Sequence, residues 1–150
     1  MCNHGVFAIR YPRENVYGAS DPVKKIPYGS WKEELSGNKT ALIATGPVVV
    51  ALKEHLKDKN LDVALYNAVY LRPMDEEKIK GLVKYNKVII YNPYATREGF
   101  ANAVESRLME LGYKGQVIVK TVPTVTVSQA SIDEQREEFH LQINDILELL

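Results

Sequence analysis

The sequence predicts an α/β fold, a three-layer α/β/α sandwich around a mostly parallel sheet of about five strands, with one antiparallel edge strand. Short apolar runs alternate about four times with stretches of helical periodicity, which is the order of strand–helix units in parallel sheets. The runs are apolar at consecutive positions, as expected for strands covered on both faces. Around Trp31, residues 28–35 alternate instead, with Trp31 and Leu35 on one side, and this predicts the edge strand.

The first strand–helix unit contains the turn Thr45-Gly46-Pro47. Residues 40–45 form an apolar run, and a helix is predicted from Pro47 with a buried stripe at Val48, Val49, Leu52 and Leu56. A glycine at such a turn suggests a phosphate loop, but a dinucleotide site needs three glycines, and bulky valines follow this one. We therefore predict a packing turn. Residues 37–40 precede a strand and are interpreted as a hairpin turn.

The remaining units follow the same alternation. Further strands are predicted at residues 61–67, continued irregularly to 71, and at residues 87–91 and 116–120, the middle one broken at Asn92-Pro93. Asp75 is predicted to cap a helix with an apolar face at Ile79, Leu82 and Val83. A helix over residues 96–111 ends at Gly112, and the capping-box spacing of Ser131 and Glu134 predicts one last helix that continues to Leu150.

The first 29 residues do not follow this alternation of strands and helices. Residues 5–10 read as a strand that stops at Tyr11-Pro12, and residues 13–29 are rich in proline and glycine with little periodicity. So long a connection is typical of a linker between domains. We therefore expect the first strand to belong to a different sheet.

Composition excludes several classes of function. The chain has 150 residues, 19 basic and 19 acidic, so no basic field recruits nucleic acid. Cys2 is its only cysteine, no signal peptide is recognisable, and no apolar run reaches the ~20 residues of a membrane helix. These features predict a cytoplasmic protein without a membrane partner. His4, His55 and His140 lack metal-ligand spacing, so we expect no metal site and no catalytic residue.

Two arginines form the most suggestive cluster, because Arg10 and Arg13 flank Tyr11-Pro12 at the end of the first predicted strand. Strand ends are where α/β proteins place ligand groups, and the guanidinium fork suits phosphate. A pair of surface or interdomain salt bridges is the alternative, and the residues alone leave both open.

The ordered motifs resemble a known family. Residues 7–13 (Phe-Ala-Ile-Arg-Tyr-Pro-Arg), 41–46 (Ala-Leu-Ile-Ala-Thr-Gly) and 66–77 are similar to the C-terminal part of 1-deoxy-D-xylulose-5-phosphate synthase, a transketolase-superfamily family. The resemblance covers most of residues 5–111. It implies that residues 1–14 end a preceding pyrimidine-binding domain, residues 15–29 form a linker, and residues 30–150 form a transketolase-type C-terminal domain.

The resemblance also implies a function. The family condenses pyruvate with glyceraldehyde 3-phosphate, releasing carbon dioxide, with thiamine diphosphate and Mg²⁺, as a homodimer in isoprenoid synthesis. Arg10 matches the arginine that helps hold the substrate phosphate. The family's G-D-G cofactor motif does not occur in these 150 residues. The resemblance therefore implies a structural and dimer-forming part of a longer chain, partnered by its remaining domains, which binds no cofactor and is inactive alone.

The chain also departs from the family pattern. Glu14 replaces the glycine after the arginine motif, residues 90–94 and 97–100 differ from the family's V-E-E-N strand end and glycine-rich helix start, and residues 122–127 keep only Pro123 of a late motif. Two alternatives therefore stay open. One is a non-catalytic interaction or regulatory module with this fold, and the other is the C-terminal domain of a 2-oxo acid dehydrogenase β subunit.

Overall fold

A computed structural model describes residues 6, 8, 9, 25–59, 61–127 and 129–150. The described chain forms five strands and five α-helices. The strands are β1 (Lys32–Leu35), β2 (Thr40–Ala44), β3 (Val63–Asn67), β4 (Lys87–Thr96) and β5 (Gln116–Val122). The helices are α1 (Val48–Lys57), α2 (Glu76–Gly81), which a 3₁₀ turn at Leu82–Lys84 extends, α3 (Phe100–Glu110), α4 (Ile132–Glu138) and α5 (Ile143–Leu147).

The sheet has the strand order β1-β3-β2-β4-β5. All neighbouring strands are parallel except β1, which runs antiparallel to β3. This confirms the predicted mixed sheet with one antiparallel edge strand. The predicted first strand, the linker and Arg10 lie wholly or mostly outside the described residues, so the domain boundaries at 14 and 29 stay predictions.

Helices cover both faces of the sheet and enclose two apolar cores. On one face α2 and α3 pack against Ile43, Val88 and Ile90. On the other face α1, α5 and the segment between α4 and α5 pack against Leu42, Leu65 and Ile89. Alternate residues of one strand thus enter opposite cores, which explains why β2 is buried at every position.

The hairpin predicted at residues 37–40 is wrong. β1 and β2 are not neighbours, because β3 lies between them. The connection passes the start of β3 so closely that a Cβ on Gly37 would lie 2.6 Å from the backbone nitrogen of Ala64. Glycine is therefore required there for close approach of two backbones. The predicted side-chain alternation also fails, because the register shift between Glu33 and Leu35 turns Leu35 towards the core opposite that of Trp31.

Asn92-Pro93 does not end β4, which continues to Thr96. Pairing with β2 stops at Tyr91, and the pairing with β5 is irregular between Asn92 and Thr96. Pro93 lies in this irregular part, where the missing N–H interrupts no regular ladder. The following helix starts at Phe100, four residues later than predicted. Its buried face, Phe100, Val104 and Leu108, is as predicted.

The prediction of a single C-terminal helix is also wrong, because the structure has two helices there, α4 and α5. His140 has φ 51°, the N–H of His140 bonds to Glu137 and the N–H of Leu141 bonds to Arg136. This is a Schellman motif, which ends a helix. The break lets Leu141 and Ile146 enter the core. The predicted capping box of Ser131 and Glu134 is present, and Asp75 caps α2 as predicted.

Candidate functional site

The carboxyl edge of the parallel strands holds the residues best placed to meet a ligand. After β2 the chain enters α1 on one face, and after β4 it enters α3 on the other face. The space between the ends of β2 and β4 is therefore the topological switch point of the sheet. Open α/β sheets bind ligands at such points.

Two buried polar residues join the strands at this point. Thr45 follows β2 and Asn92 lies in β4, and the two residues are 7% and 3% exposed. The Thr45 hydroxyl donates to Asn92 Oδ1 at 3.1 Å, and the backbone N–H of Tyr94 donates to the same oxygen at 3.3 Å. Because the oxygen accepts two bonds, the side chain of Asn92 is held in one orientation at the strand end.

The turn after β2 is filled by a side chain. Gly46 has φ 76°, and the ring of Tyr94 comes within 3.0 Å of the position that a Cβ at Gly46 would occupy. Val48 and Val49, which follow, are buried in the core. The turn therefore packs against an aromatic ring where a phosphate loop would leave space for an anion, as the run of valines predicted.

The side chain of Tyr94 also contacts the cationic side chain of Arg136. The Arg136 guanidinium lies 5.6 Å from the centre of the Tyr94 ring, and Arg136 Nη2 donates to the Tyr94 hydroxyl at 3.4 Å. Both residues border a cavity of about 140 Å³ between the ends of β4 and β5 and helix α4. Its remaining walls are mostly apolar, formed by Pro93, Val122, Val127, Ile132, Gln135, Phe139 and Leu141.

A second polar cluster lies beside the other edge of the sheet. The hydroxyls of Tyr66 and Tyr85 are 2.8 Å apart and buried. Burial, followed by the hydrogen bond to Tyr85, raises the pKa of Tyr66 above its ordinary value. At Glu33 burial opposes ionisation, but hydrogen bonds from Lys78 and Ser36 outweigh it and lower the carboxyl pKa. Because the pKa of Tyr66 is raised and that of Glu33 is lowered, these two groups do not form an acid–base pair suited to chemistry near neutral pH.

The described residues do not fit a site for Mg²⁺ and diphosphate. Within residues 25–59, 61–127 and 129–150 no three His, Cys, Asp or Glu side chains cluster as metal ligands. The one turn with the right placement, at Gly46, is occupied by Tyr94. His55 bonds to the carbonyl of Ala51, and His140 serves in the helix break. In the same part of the chain no helix is long and apolar enough to cross a membrane.

Comparison with known proteins identifies the family that has this architecture. The family model described as "Transketolase, C-terminal domain" matches residues 29–146. The chain belongs to the transketolase C-terminal domain family. The match begins just before Trp31 and ends within α5, so it includes all five strands of the described sheet and the helices α1 to α4.

Curated relatives of this transketolase C-terminal domain carry the name 1-deoxy-D-xylulose-5-phosphate synthase. The protein of Clostridium perfringens (strain ATCC 13124) is 29% identical over 145 residues, covering 93% of this chain and 23% of its own length. That of Thermotoga petrophila is 38% identical over 119 residues, covering 76% of this chain and 19% of its own. The chain thus spans about a fifth to a quarter of the length of these relatives.

A solved structure shares the fold. A chain described as "Split gene transketolase, inactive beta4 tetramer" superposes with a TM-score of 0.76, covering 91% of this chain and 46% of its own, at 18% sequence identity. This likeness supports the transketolase C-terminal architecture of the domain, and at that identity it extends to the fold alone.

We predicted Arg10 as the ligand-binding residue and predicted no site at the switch point. Arg10, the predicted phosphate ligand, lies outside the described residues, so its role stays a prediction. Asn92, Tyr94 and Arg136 were not predicted as neighbours. Asn92-Pro93 was interpreted as a strand break. Tyr94 and Arg136 are 42 positions apart in the sequence, so no local pattern connects them. The strand order, once known, identifies the site through the switch-point rule.

Proposed function

We propose that this chain is the C-terminal domain of a thiamine-diphosphate-dependent enzyme of the 1-deoxy-D-xylulose-5-phosphate synthase type. The reaction would join pyruvate and glyceraldehyde 3-phosphate to give 1-deoxyxylulose 5-phosphate and carbon dioxide. Thiamine diphosphate and Mg²⁺ would be bound by other domains, either in the same polypeptide or in a partner chain. The assembly would be a cytoplasmic homodimer, and this domain alone would be inactive.

The observation that carries the proposal is the extent of the similarity. Alignments to relatives with this name cover 93–95% of the chain, whereas the domain family model covers residues 29–146. The similarity therefore continues into the segment before residue 29, which contains Arg10-Tyr-Pro-Arg13. A domain shared by many enzymes would explain residues 29–146, but the preceding segment favours this synthase over its more distant relatives.

Arg10 is the residue that we propose for substrate binding. A guanidinium beside Pro12, at the border of two domains, would hold the phosphate of glyceraldehyde 3-phosphate through paired, charge-assisted hydrogen bonds. The domain would supply no catalytic residue in this proposal, and its role would be to support the site that the other domains build.

A domain-replacement experiment tests the proposal. In the Clostridium perfringens synthase, the matching C-terminal segment is replaced by this chain, and formation of 1-deoxyxylulose 5-phosphate is measured. We expect an active enzyme. In it, Arg10→Ala should raise the KM for glyceraldehyde 3-phosphate at least about tenfold and leave that for pyruvate nearly unchanged, since a charge-assisted bond contributes about 1.5–3 kcal/mol.

Arg107→Ala is the matched control, because Arg107 is a partly exposed arginine of α3 whose guanidinium pairs with Glu76 and Glu110. It should change neither KM. A folded replacement enzyme without activity would contradict the proposal for the domain. An active one in which Arg10→Ala leaves both KM values unchanged would contradict only the role of Arg10.

Titration of the 150-residue chain with thiamine diphosphate and Mg²⁺ gives an independent test. We expect no tight binding, and a sub-micromolar Kd would show that the cofactor site lies in this chain. The second candidate function is a non-catalytic interaction or regulatory module. It is favoured by the departures of residues 90–100, where β4 continues to Thr96, and it would leave the replacement enzyme inactive.

A further inference from the structure

Strand β5 lies at an edge of the sheet and has apolar side chains on both of its faces. It pairs with β4 on one side, and no described residue pairs with its other side. Val117 and Val119 pack towards the core under α3, whereas Ile118 and Val122 pack towards the opposite core. All four are only partly buried. Apolar residues on both faces are typical of a strand that other elements cover on both faces, and a long apolar strand at an exposed edge is prone to pair with another strand.

The other edge of the same sheet is protected in the usual ways. β1 has four residues, three of them charged (Lys32, Glu33 and Glu34), and its register shifts within that length. Short, charged and irregular edges resist pairing with other chains. β5 has seven residues and a single charged side chain, that of Lys120. The ammonium group of Lys120 donates a hydrogen bond to the carbonyl of His140 at 3.4 Å. The two edges therefore differ in their capacity to accept another strand.

Opposite charges stand beyond the two ends of β5. Lys114 lies two residues before the strand, is exposed and forms no ion pair within the described part of the chain. Thr124 lies two residues after the strand, and its hydroxyl donates to the Glu98 carboxylate at 2.9 and 3.1 Å. Hydrogen bonds from the backbone of Glu98 itself, from Thr96 and from Thr124 lower the pKa of this carboxyl, so it is ionised.

We propose that β5 pairs antiparallel with β5 of a second copy of this chain, about a two-fold axis at Val119. Val119 of one copy then faces Val119 of the other, and Ile118 of each copy faces Lys120 of the other. No like charges therefore lie directly opposite each other. The start of one β5 lies beside the end of the other. Lys114 of one copy thus approaches Glu98 of the other, and the two-fold axis repeats this contact.

The chemistry of the edge favours this occupant over an unrelated peptide. The partner strand must be apolar on both faces to extend both cores. It must also carry an acid beyond one end and a base beyond the other, in the antiparallel sense. β5 with Lys114 and Glu98 meets all of these requirements. The pairing would join two five-stranded sheets into one continuous sheet of ten.

Sedimentation equilibrium of the 150-residue chain tests the contact. We expect a dimer at about 100 µM protein and a monomer after Val119→Lys, because the substitution places two ammonium groups face to face. Val83→Lys is the matched control, since Val83 is an exposed valine outside β5, and it should remain dimeric. A monomeric wild-type chain, or a dimer that survives Val119→Lys, would overturn the inference.

Exchange of the charges tests the orientation. Lys114→Glu and Glu98→Lys should each raise the dimer Kd about tenfold, because each places like charges together twice. The double variant, which exchanges the two charges, should return to within about threefold of wild type. A double variant as weak as the single ones would overturn the antiparallel arrangement. Circular dichroism of each variant verifies that the fold is retained.

A disulfide tests the register. In a Cys2→Ser background, Val119→Cys should give a covalent dimer on oxidation, because facing Cβ atoms lie about 4.5–5.5 Å apart. Val117→Cys should not, since its copy lies four residues away along the strand, about 13 Å. No cross-link at 119 in a dimeric sample would overturn the register. The inference names a surface for the homodimer proposed above, and a dimer that survives Val119→Lys would retain that homodimer while removing the β5 contact.

Discussion

The carboxylate of Asp75 accepts a hydrogen bond from the backbone N–H of Trp31 at 2.8 Å. Its other oxygen accepts from the backbone N–H of Lys78 at 3.0 Å and so caps α2. One side chain therefore joins the entrance of the edge strand to the start of a helix 44 residues later. The indole N–H of Trp31 strengthens this junction by donating to the carbonyl of Tyr70 at 2.9 Å.

Asp75→Ala should lower the free energy of unfolding by about 2–3 kcal/mol, because it removes the cap and leaves the buried N–H of Trp31 without an acceptor. Asp75→Ser should lose about half as much, since serine still caps a helix but is too short to reach Trp31 as well. Urea unfolding measures both. Glu77→Ala, an exposed acid of the same helix turn, is the control and should stay within about 0.5 kcal/mol. Equal losses for alanine and serine would contradict the double role of Asp75.

Gly46→Ala should destabilise the domain by about 2 kcal/mol or more, because a Cβ is strained at φ 76° and meets the ring of Tyr94. Gly81→Ala is the opposite control. Gly81 has helical φ and ψ at the end of α2, and a Cβ there would meet nothing within 4 Å. This change should stabilise by about 0.4–1 kcal/mol. Thermal unfolding of the two variants should therefore shift in opposite directions, and parallel shifts would contradict the prediction.

The buried pair Tyr66–Tyr85 should make the domain sensitive to alkali. The pKa of Tyr66 is raised in the folded state, so above the ordinary tyrosine pKa of about 10 the unfolded chain releases a proton that the folded chain retains. The titration of Tyr66 therefore leaves the free energy of unfolding unchanged below about pH 10 and lowers it as the pH rises further. Tyr66→Phe should be less stable at pH 8, because Tyr85 loses its partner, but should show a smaller loss between pH 8 and 11. An unchanged slope would contradict the assignment to Tyr66.

Glu34 should make the domain sensitive to acid. Burial opposes its ionisation, but hydrogen bonds and charge from Lys32 and Lys53 outweigh this and lower its pKa. Its contribution is therefore present at neutral pH and is lost as the pH falls through the lowered pKa. Glu34→Gln should cost about 1 kcal/mol at pH 7 and less at pH 3. Glu54→Gln, whose carboxylate is exposed beside Lys57, should change stability little at either pH.

The sequence predicted those features that follow from periodicity and local capping. Gly112 ends α3 through the same Schellman pattern that His140 forms after α4. The first was predicted because glycine is the usual residue at that position, and the second was missed because a histidine rarely adopts a positive φ. The buried stripe of α1 and the cap at Asp75 also follow from local spacing.

Features that depend on contacts between distant strands were not predictable in this way. The sequence gives no sign that β3 lies between β1 and β2, so residues 37–40 looked like a hairpin. Pro93 is compatible with a strand only because the pairing of β4 with β5 is irregular there. The neighbours at the switch point, Asn92, Tyr94 and Arg136, likewise depend on the strand order and on the helix break at His140.

The position of β3 between the first two strands has a consequence for the order of folding. β1 is the first strand of the described sheet along the chain, yet its partner β3 lies 30 to 35 residues further on, as the pairs Leu35–Leu65 and Lys32–Asn67 show. β1 can therefore gain its ladder hydrogen bonds only when β3 is present, whereas α1 and the β2–β3 ladder can assemble without β1. In amide exchange, the N–H groups of β1 should open through partial unfolding at a lower free energy than those of β2. The antiparallel edge of the sheet would then be its most readily detached part.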